Sequence, residues 1–455
     1  APEEFTFVHG WLFRDWVARA FNDDLPFDQF LMRQLAADHL LARGKCDPSD
    51  LAAMGFLTLG RRFIGVEQDI IDDRIDVVTR GMLGLTASCA RCHDHKYDPI
   101  PTTDYYALYG IFDSSCEKLV PLREFKDKEL AKRRANLDTE FEKQAKKTEQ
   151  RFLDRAGDYL AATLDISKVP KPDFAAIISK DELNPGQIRR WHEYLSQADK
   201  SGHPVFGPWK VLAKLSLSDF ADGKATELLR EMNAVDSVVI DALSTPALKS
   251  AEDLAQRYGK LLNANAGNAA ISDVLRSPGS PIAFPRRHVH DVEWLFDDDA
   301  RKTLKKLLAA VERRIIELGD SAPHAVVMED LEVAQNARVL VRGDYSVQGV
   351  EVPRGAPKIL GGAMFREGSG RLGLARVIAS KNNPLTARVI VNRIWQHHFG
   401  TGLVDTPSDF GLRSTPPSHP ELLDYLALRL IKNNWSLKSI HRLIVNSAVY
   451  GQASS

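Results

Sequence analysis

Apolar residues at three- and four-residue spacing near both ends of the chain, two highly charged segments that each keep one apolar stripe, and a short strand-like alternation define the predicted fold class. They predict a mainly α, multidomain protein with a long charged helical pair and a small β element near 333–360. The 455 residues, 44% hydrophobic and 27% charged, amount to about three domains. Composition shifts divide them into a helical domain at 1–120, charged helices with a mixed insertion at 121–320, and the β element with a C-terminal helical domain at 321–455.

Residues 11–41 read as two core-forming helices bearing Trp16, Phe21, Phe27, Phe30, Leu31 and Leu35. Asn22-Asp23-Asp24-Leu25-Pro26 separates them, with Pro26 placed to start the second. A further helix runs from Gln68 to about Leu85, because Ile71, Ile75, Val78, Met82 and Leu85 recur at intervals of four, three, four and three. That register puts Asp72, Asp73 and Asp76 on the wet side. Gly81 and Gly84 cost helix propensity and predict the close approach of another body, a macrocycle or a helix.

Between Glu124 and Arg155, Leu130, Leu137, Phe141, Thr148 and Phe152 make one stripe, and Leu304, Leu308, Val311, Ile315 and Leu318 make another. Two long helices packed antiparallel as a stalk or arm account for both. Residues 165–290, with Trp191 and Trp209, show no clear period and read as a mixed or helical insertion with long loops. Strand-like alternation around the Gly343-Asp344 turn signal marks the β element, and GGAMFREGSGRLG after it reads as a flexible connector. Pro384, Pro420 and Leu437 open the last three helices.

The net charge is −1, which gives no electrostatic reason to expect a nucleic acid or an anionic membrane as partner. No apolar run approaches the roughly 20 residues needed to span a bilayer. The opening APEEFTFVHGW has no basic start, apolar h-region or initiator Met, and reads as a mature product or a piece of a longer chain. Four cysteines are too few for a disulfide scaffold.

Chemistry concentrates at Cys89-Ala90-Arg91-Cys92-His93. Two thiols three residues apart can each add to a vinyl group of one porphyrin, and the adjoining histidine can meet the iron as an axial ligand. Composition alone predicts about 0.001 such matches in this chain. Haem c is the leading reading. Zinc held by Cys89, Cys92 and one or both of His93 and His95 is the alternative, weakened by the lack of a second Cys pair. A disulfide or a redox-active thiol pair ranks last, since no βαβ pattern surrounds the motif.

GLTASCARCHDHKYDPIPTTDYYALYGIF resembles the signature of the planctomycete-type cytochrome c domain proteins, in which a CxxCH-bearing domain precedes a second one. NPLTARVIVNRIWQHHFGTGLVDTPSDFG resembles the hallmark of that second domain, and RDWVARAFNDDLPFDQFLMRQLAADHL the start of the first. The resemblance covers about residues 11–116 and 325–452. It implies a c-type haem, export to the cell envelope or periplasm, and a chain truncated relative to its relatives. It supplies no reaction.

Around the motif, His95 is expected at a haem edge or propionate, or as a hydrogen-bonding support, because only Asp94 separates it from His93. Asp94, Lys96 and Asp98 could assist. Tyr105 and Tyr106 are expected to pack as aromatics against the pocket. His398, which shares a helix face with Val391, Ile394 and Trp395, is the distant candidate for an axial iron ligand; Met54 and Met82 are alternatives. His9, His39 and His419 show no distinguishing pattern. Cys46 and Cys116 could form a disulfide in an exported protein.

The functional expectation is an exported c-type haem protein that transfers electrons or performs haem-dependent redox chemistry with a partner protein or small-molecule substrate. An envelope scaffold with a structural zinc site, contacting polysaccharide through surface Trp and Tyr, is the competing class. A haem-dependent oxidoreductase acting on polysaccharide is a third. No carboxylate pair stands out as acid and nucleophile, so a glycosidase is not supported.

Overall fold

The computed structural model describes residues 7–452 except 8, 62–66, 124–125, 170–178, 180, 233, 278, 286–288, 322, 332–333 and 345–346. The stretch 1–6 read for a leader, and Val333 at the start of the expected β element, lie outside the described residues. The described chain is mainly α with two two-stranded sheets. Among the described residues no helix is long and apolar enough to cross a membrane.

Two compact units divide the chain: residues 1–127 with 314–455, and residues 128–313. Both ends of the sequence therefore contribute to one unit with one apolar core.

In that first unit, α1 (Gly10–Asn22) and α2 (Phe27–Ala42) meet at the expected break, where Asp24 takes a left-handed φ of 50°. Trp16 stacks on Phe30 at 5.0 Å and its indole N–H donates to Asp50 at 2.8 Å, so the apolar body is buried and its one polar atom is satisfied. Helix α3 (Glu67–Val78) carries the predicted stripe inward, with Ile71 and Ile75 fully buried. It widens over Thr79–Leu83 and stops at Gly84. Next come α4 (Thr102–Asp113) and strand β1 (Ser115–Pro121).

The chain returns on β2 (His324–Asp330), antiparallel to β1, with Ser115 opposite Asp330 and Pro121 opposite His324. Sequence reading missed this sheet, because its strands are short and about 200 residues apart, with no hairpin turn between them. In the same unit Arg314 pairs with Asp127 at 2.7 Å. The expected β element is the antiparallel pair β3 (Ala337–Leu340) and β4 (Gln348–Val352). Helices α5 (Arg371–Ile378), α6 (Thr386–Phe399), α7 (Pro420–Lys432) and α8 (Leu437–Val445) complete the unit.

Gly84 shows why that helix ends in glycine. Its φ is +61°, and a Cβ there would lie 3.0 Å from both Phe410 and Val389 of α6. The body predicted to approach is thus the C-terminal segment of the chain. Gly84→Val is expected to cost about 1–3 kcal/mol, read as a lower denaturant midpoint, because strain and crowding act together.

The second unit contains the two long charged helices, Lys128–Asp154 and the first three-quarters of Asp298–Leu318. They run antiparallel: Arg133 donates to the Ala310 carbonyl at 2.9 Å and Arg151 pairs with Asp297 at 3.2 Å. They are not a bare stalk. Among the described residues the intervening segment is mainly helical and shares a core with them, in which Trp191 is fully buried, Phe206 stacks on Tyr258 at 4.9 Å, and Phe141 meets Phe284 and Phe296. Periodicity failed over much of it because five of the helices have only five to eight residues, although Pro185–Ser201 and Ala251–Ala264 are long enough to carry a full apolar stripe.

Candidate functional site

The motif follows Gly84 on a short 3₁₀ turn, Ser88–Arg91, in which the Cys92 N–H donates to the Cys89 carbonyl at 3.3 Å. Side chains at i and i+3 eclipse on a 3₁₀ turn, so both thiols stand on one side of it. Both are exposed and free.

Neighbouring side chains hold this turn from behind. Arg91 pairs with Asp69 at 2.8 Å and Asp72 at 3.4 Å on α3. The Tyr105 hydroxyl donates to Asp72 at 2.7 Å and the Tyr106 hydroxyl to the Arg91 carbonyl at 2.9 Å. The two tyrosines are therefore core aromatics that also brace the turn. Burial and the Asp72 carboxylate push the Tyr105 phenol far above its usual range, so it stays a donor. Asp72 and Asp76 are not simply on the wet side: Ser88 donates to Asp76 at 3.4 Å. From the β3–β4 loop Gly343 comes close over the second thiol, since a Cβ there would lie 2.6 Å from the Cys92 sulfur.

His93 is exposed, and its Nδ1 lies 2.8 Å from the Asp94 carbonyl. A proton on Nδ1 donated to that carbonyl leaves the Nε2 lone pair free to ligate, the usual arrangement of a metal-bound histidine. His95 is placed differently. Its Nδ1 accepts the Asp98 N–H at 2.9 Å, and the His95 backbone N–H donates to the Ile100 carbonyl at 2.9 Å, which folds residues 95–100 into a tight loop. Asp94 accepts from the Thr102 N–H and hydroxyl at 2.8 and 3.0 Å, fixing the start of α4, and these bonds hold its carboxyl below the usual range. An open cavity of about 570 Å³ borders this loop, lined by Asp94, His95, Asp98, Ile100, Lys358 and Ile359.

The loop is also where the two ends of the sequence meet. Asp98, buried, accepts the Leu412 N–H at 2.6 Å, and the Phe410 N–H donates to the Gly84 carbonyl at 2.6 Å. Arg413 lies over the Tyr97 ring at 4.6 Å, with Lys96 at 5.2 Å. Asp98→Ala is expected to free the 409–413 segment at a cost of about 1–3 kcal/mol, read as faster hydrogen exchange at the Leu412 and Phe410 amides.

The remaining candidates lie elsewhere. Met54 and Met82 are buried in the core of the first unit. No disulfide joins Cys46 to Cys116; Cys46 donates to the Ala37 carbonyl at 3.5 Å, and burial pushes its pKa up to about 11. His398 Nε2 sits 2.8 Å from His441 Nδ1, with Tyr450 edge-on to its ring. Cys89, Cys92, His93 and His95 do not converge on a point. Among the described residues, the one set of three His, Cys, Asp or Glu ligand atoms within 4.8 Å of one another is Asp38, His39 and Asp330.

No sequence signal pointed to that set. His39 Nε2 lies 3.0 Å from Asp330, while Arg371, 1% exposed, reaches Asp38 at 2.6 and 3.0 Å and Asp330 at 2.6 Å. Ser369 gives Asp330 two further hydrogen bonds, from its N–H at 2.8 Å and its hydroxyl at 2.6 Å. One fixed guanidinium pairs with both carboxylates, so the cluster acts as an internal clamp, and a cation would meet like charge there. The glycine-rich stretch expected to be a plain connector delivers Ser369 and Arg371 to it, with Gly368 in close approach to Asp330.

Residues 3–117 match the family model PSCyt2, a protein of unknown function (DUF1549), and residues 370–455 match PSD1, a protein of unknown function (DUF1553). No curated protein and no solved structure matches the chain. Both matched segments lie in the first compact unit, and the chain carries the planctomycete-type PSCyt2–PSD1 domain pair that its motifs resembled.

Proposed function

We propose that the first unit is an exported c-type haem protein of the cell envelope, serving electron transfer or haem-dependent redox chemistry. The observation that carries this reading is the turn at 88–93: two free, exposed thiols on one side of a single 3₁₀ turn, followed by a histidine whose Nδ1 is tied to a backbone carbonyl. Cys89 and Cys92 would hold the porphyrin through thioether bonds, and His93 would present Nε2 to the iron. Bound there, the haem would supply a one-electron couple.

The chain's own groups set the rest. The Asp94 carbonyl orients the His93 ring and raises its basicity as a ligand. Arg91, Tyr105 and Tyr106 keep the turn rigid, so ligand positions persist through a change of oxidation state. Thioether attachment of this kind is completed outside the cytoplasm, which supports the envelope location. A structural zinc site is not favoured, because the cysteine and histidine donor atoms near the motif do not converge.

An alkaline pyridine haemochrome spectrum of protein exported from a host with c-type maturation tests the proposal. A c-type spectrum that survives acid–acetone extraction is expected. A colourless exported protein with one zinc per chain would sink it.

A further inference from the structure

His398 and His441 are the second chemistry-bearing pair in the first unit. His398 lies in the last turn of α6 and His441 on α8, and the buried Val391, Ile394, Ile440 and Ile444 anchor both helices in one core. Their positions are therefore set by helix packing and not by loop conformation. His398 Nε2 and His441 Nδ1 stand 2.8 Å apart, with ring centroids at 5.1 Å. Tyr450 meets His398 edge-on at 5.5 Å and Phe399 at 5.8 Å, which fixes the ring from a second side. His441 is exposed, so an ion and its waters can reach the pair from solvent.

We propose that His398 and His441 together bind one divalent transition-metal ion of the copper, nickel or zinc class, separately from any haem. Two imidazoles facing nitrogen to nitrogen share a single proton, and a metal ion can take the place of that proton. With metal–nitrogen bonds of about 2.0–2.1 Å, two imidazole nitrogens sit about 2.9 Å apart in cis positions at a right angle and about 3.3 Å apart on a tetrahedral ion. The observed 2.8 Å is the hydrogen-bonded separation of the metal-free pair, close enough that a small tilt of each ring toward a common point serves Cu²⁺, Ni²⁺ or Zn²⁺. Hard cations are excluded by the donor type, since Ca²⁺ and Mg²⁺ take oxygen ligands. Water would complete the coordination.

The test uses the full chain carrying Cys89→Ser and Cys92→Ser, which removes thiol binding and makes the result independent of the haem proposal. Cu²⁺ is titrated by calorimetry, and its electron paramagnetic resonance spectrum is recorded. The expected result is one ion per chain with couplings to two imidazole nitrogens. Binding should be about tenfold weaker or more in both His398→Gln and His441→Gln, with unchanged far-UV circular dichroism. The exposed His441 keeps the test decisive if His398→Gln does not fold. Binding that survives His441→Gln, coupling to a single nitrogen as the Asp38–His39–Asp330 cluster would give, or no stoichiometric uptake would each overturn the proposal.

Discussion

Cys89→Ala/Cys92→Ala is expected to abolish covalent haem, leaving no extraction-resistant haemochrome, while the fold survives. Both side chains are exposed and neither closes a disulfide, so their removal opens no cavity and leaves no buried polar atom unpaired. Each single variant should retain one thioether and a spectrum between those of the parent and of a haem with both vinyl groups intact. His93→Ala should keep the attachment but change the iron's axial field, seen as a shift toward a high-spin spectrum. A double variant with undiminished covalent haem would show that the turn at 88–93 is not the attachment site. Far-UV circular dichroism of the same samples separates loss of cofactor from loss of structure.

Arg371→Met is expected to destabilise the first unit by about 3–5 kcal/mol, because it removes one partner from a buried ionic cluster and leaves carboxylates without compensation. The guanidinium is 1% exposed and donates to Asp38, Asp330, the Ser115 hydroxyl and the Leu35 carbonyl. These groups come from α2, β1 and β2, so one side chain at the start of α5 joins the N-terminal segment to the returning chain. Urea unfolding that reports the first unit reads the effect; a loss under 1 kcal/mol would refute the clamp.

The same cluster fixes a pH dependence. Burial pushes the Asp330 carboxyl up, but His39, Arg371 and Ser369 outweigh it and hold its pKa well below the ordinary 3.8. A carboxyl depressed in the folded state contributes stability above its unfolded pKa and loses it as pH falls toward the folded one. Stability of the parent should therefore drop below about pH 4, and the acid limb should be shallower in Arg371→Met, where Asp330 keeps only His39 and Ser369.

Much of the local structure was legible because it depends on local physics. The break at 22–26, the stripe of α3 and the proline-opened C-terminal helices follow from side-chain periodicity and backbone restriction. Gly84 announced a close neighbour without naming it. The connector at 361–373 and the insertion at 165–290 were read too loosely: glycine turns and helices of about eight residues leave little period, while the apolar face of Ala251–Ala264 was there to be read.

The candidate site divides along the same line. Cys89, Cys92 and His93 are contiguous, so their spacing alone carries the chemistry, and a 3₁₀ turn is enough to align them. His95 was expected at a haem edge or as a hydrogen-bonding support, and the course of the loop gives its Nδ1 lone pair to the Asp98 amide. His398 meets His441, and Asp38 and His39 meet Asp330 and Arg371, only after helices from distant segments pack.

By itself, then, the sequence determined the helices at both ends of the chain, the two long charged helices, the small β element and the spacing of the cysteine–histidine motif, because each is encoded within about one or two dozen neighbouring residues. Tertiary structure alone decided that both ends of the chain share one core, that β1 pairs with β2, and which histidines face one another. Those outcomes depend on burying apolar faces and satisfying polar groups between segments up to 416 positions apart, and no local pattern records which surfaces will meet.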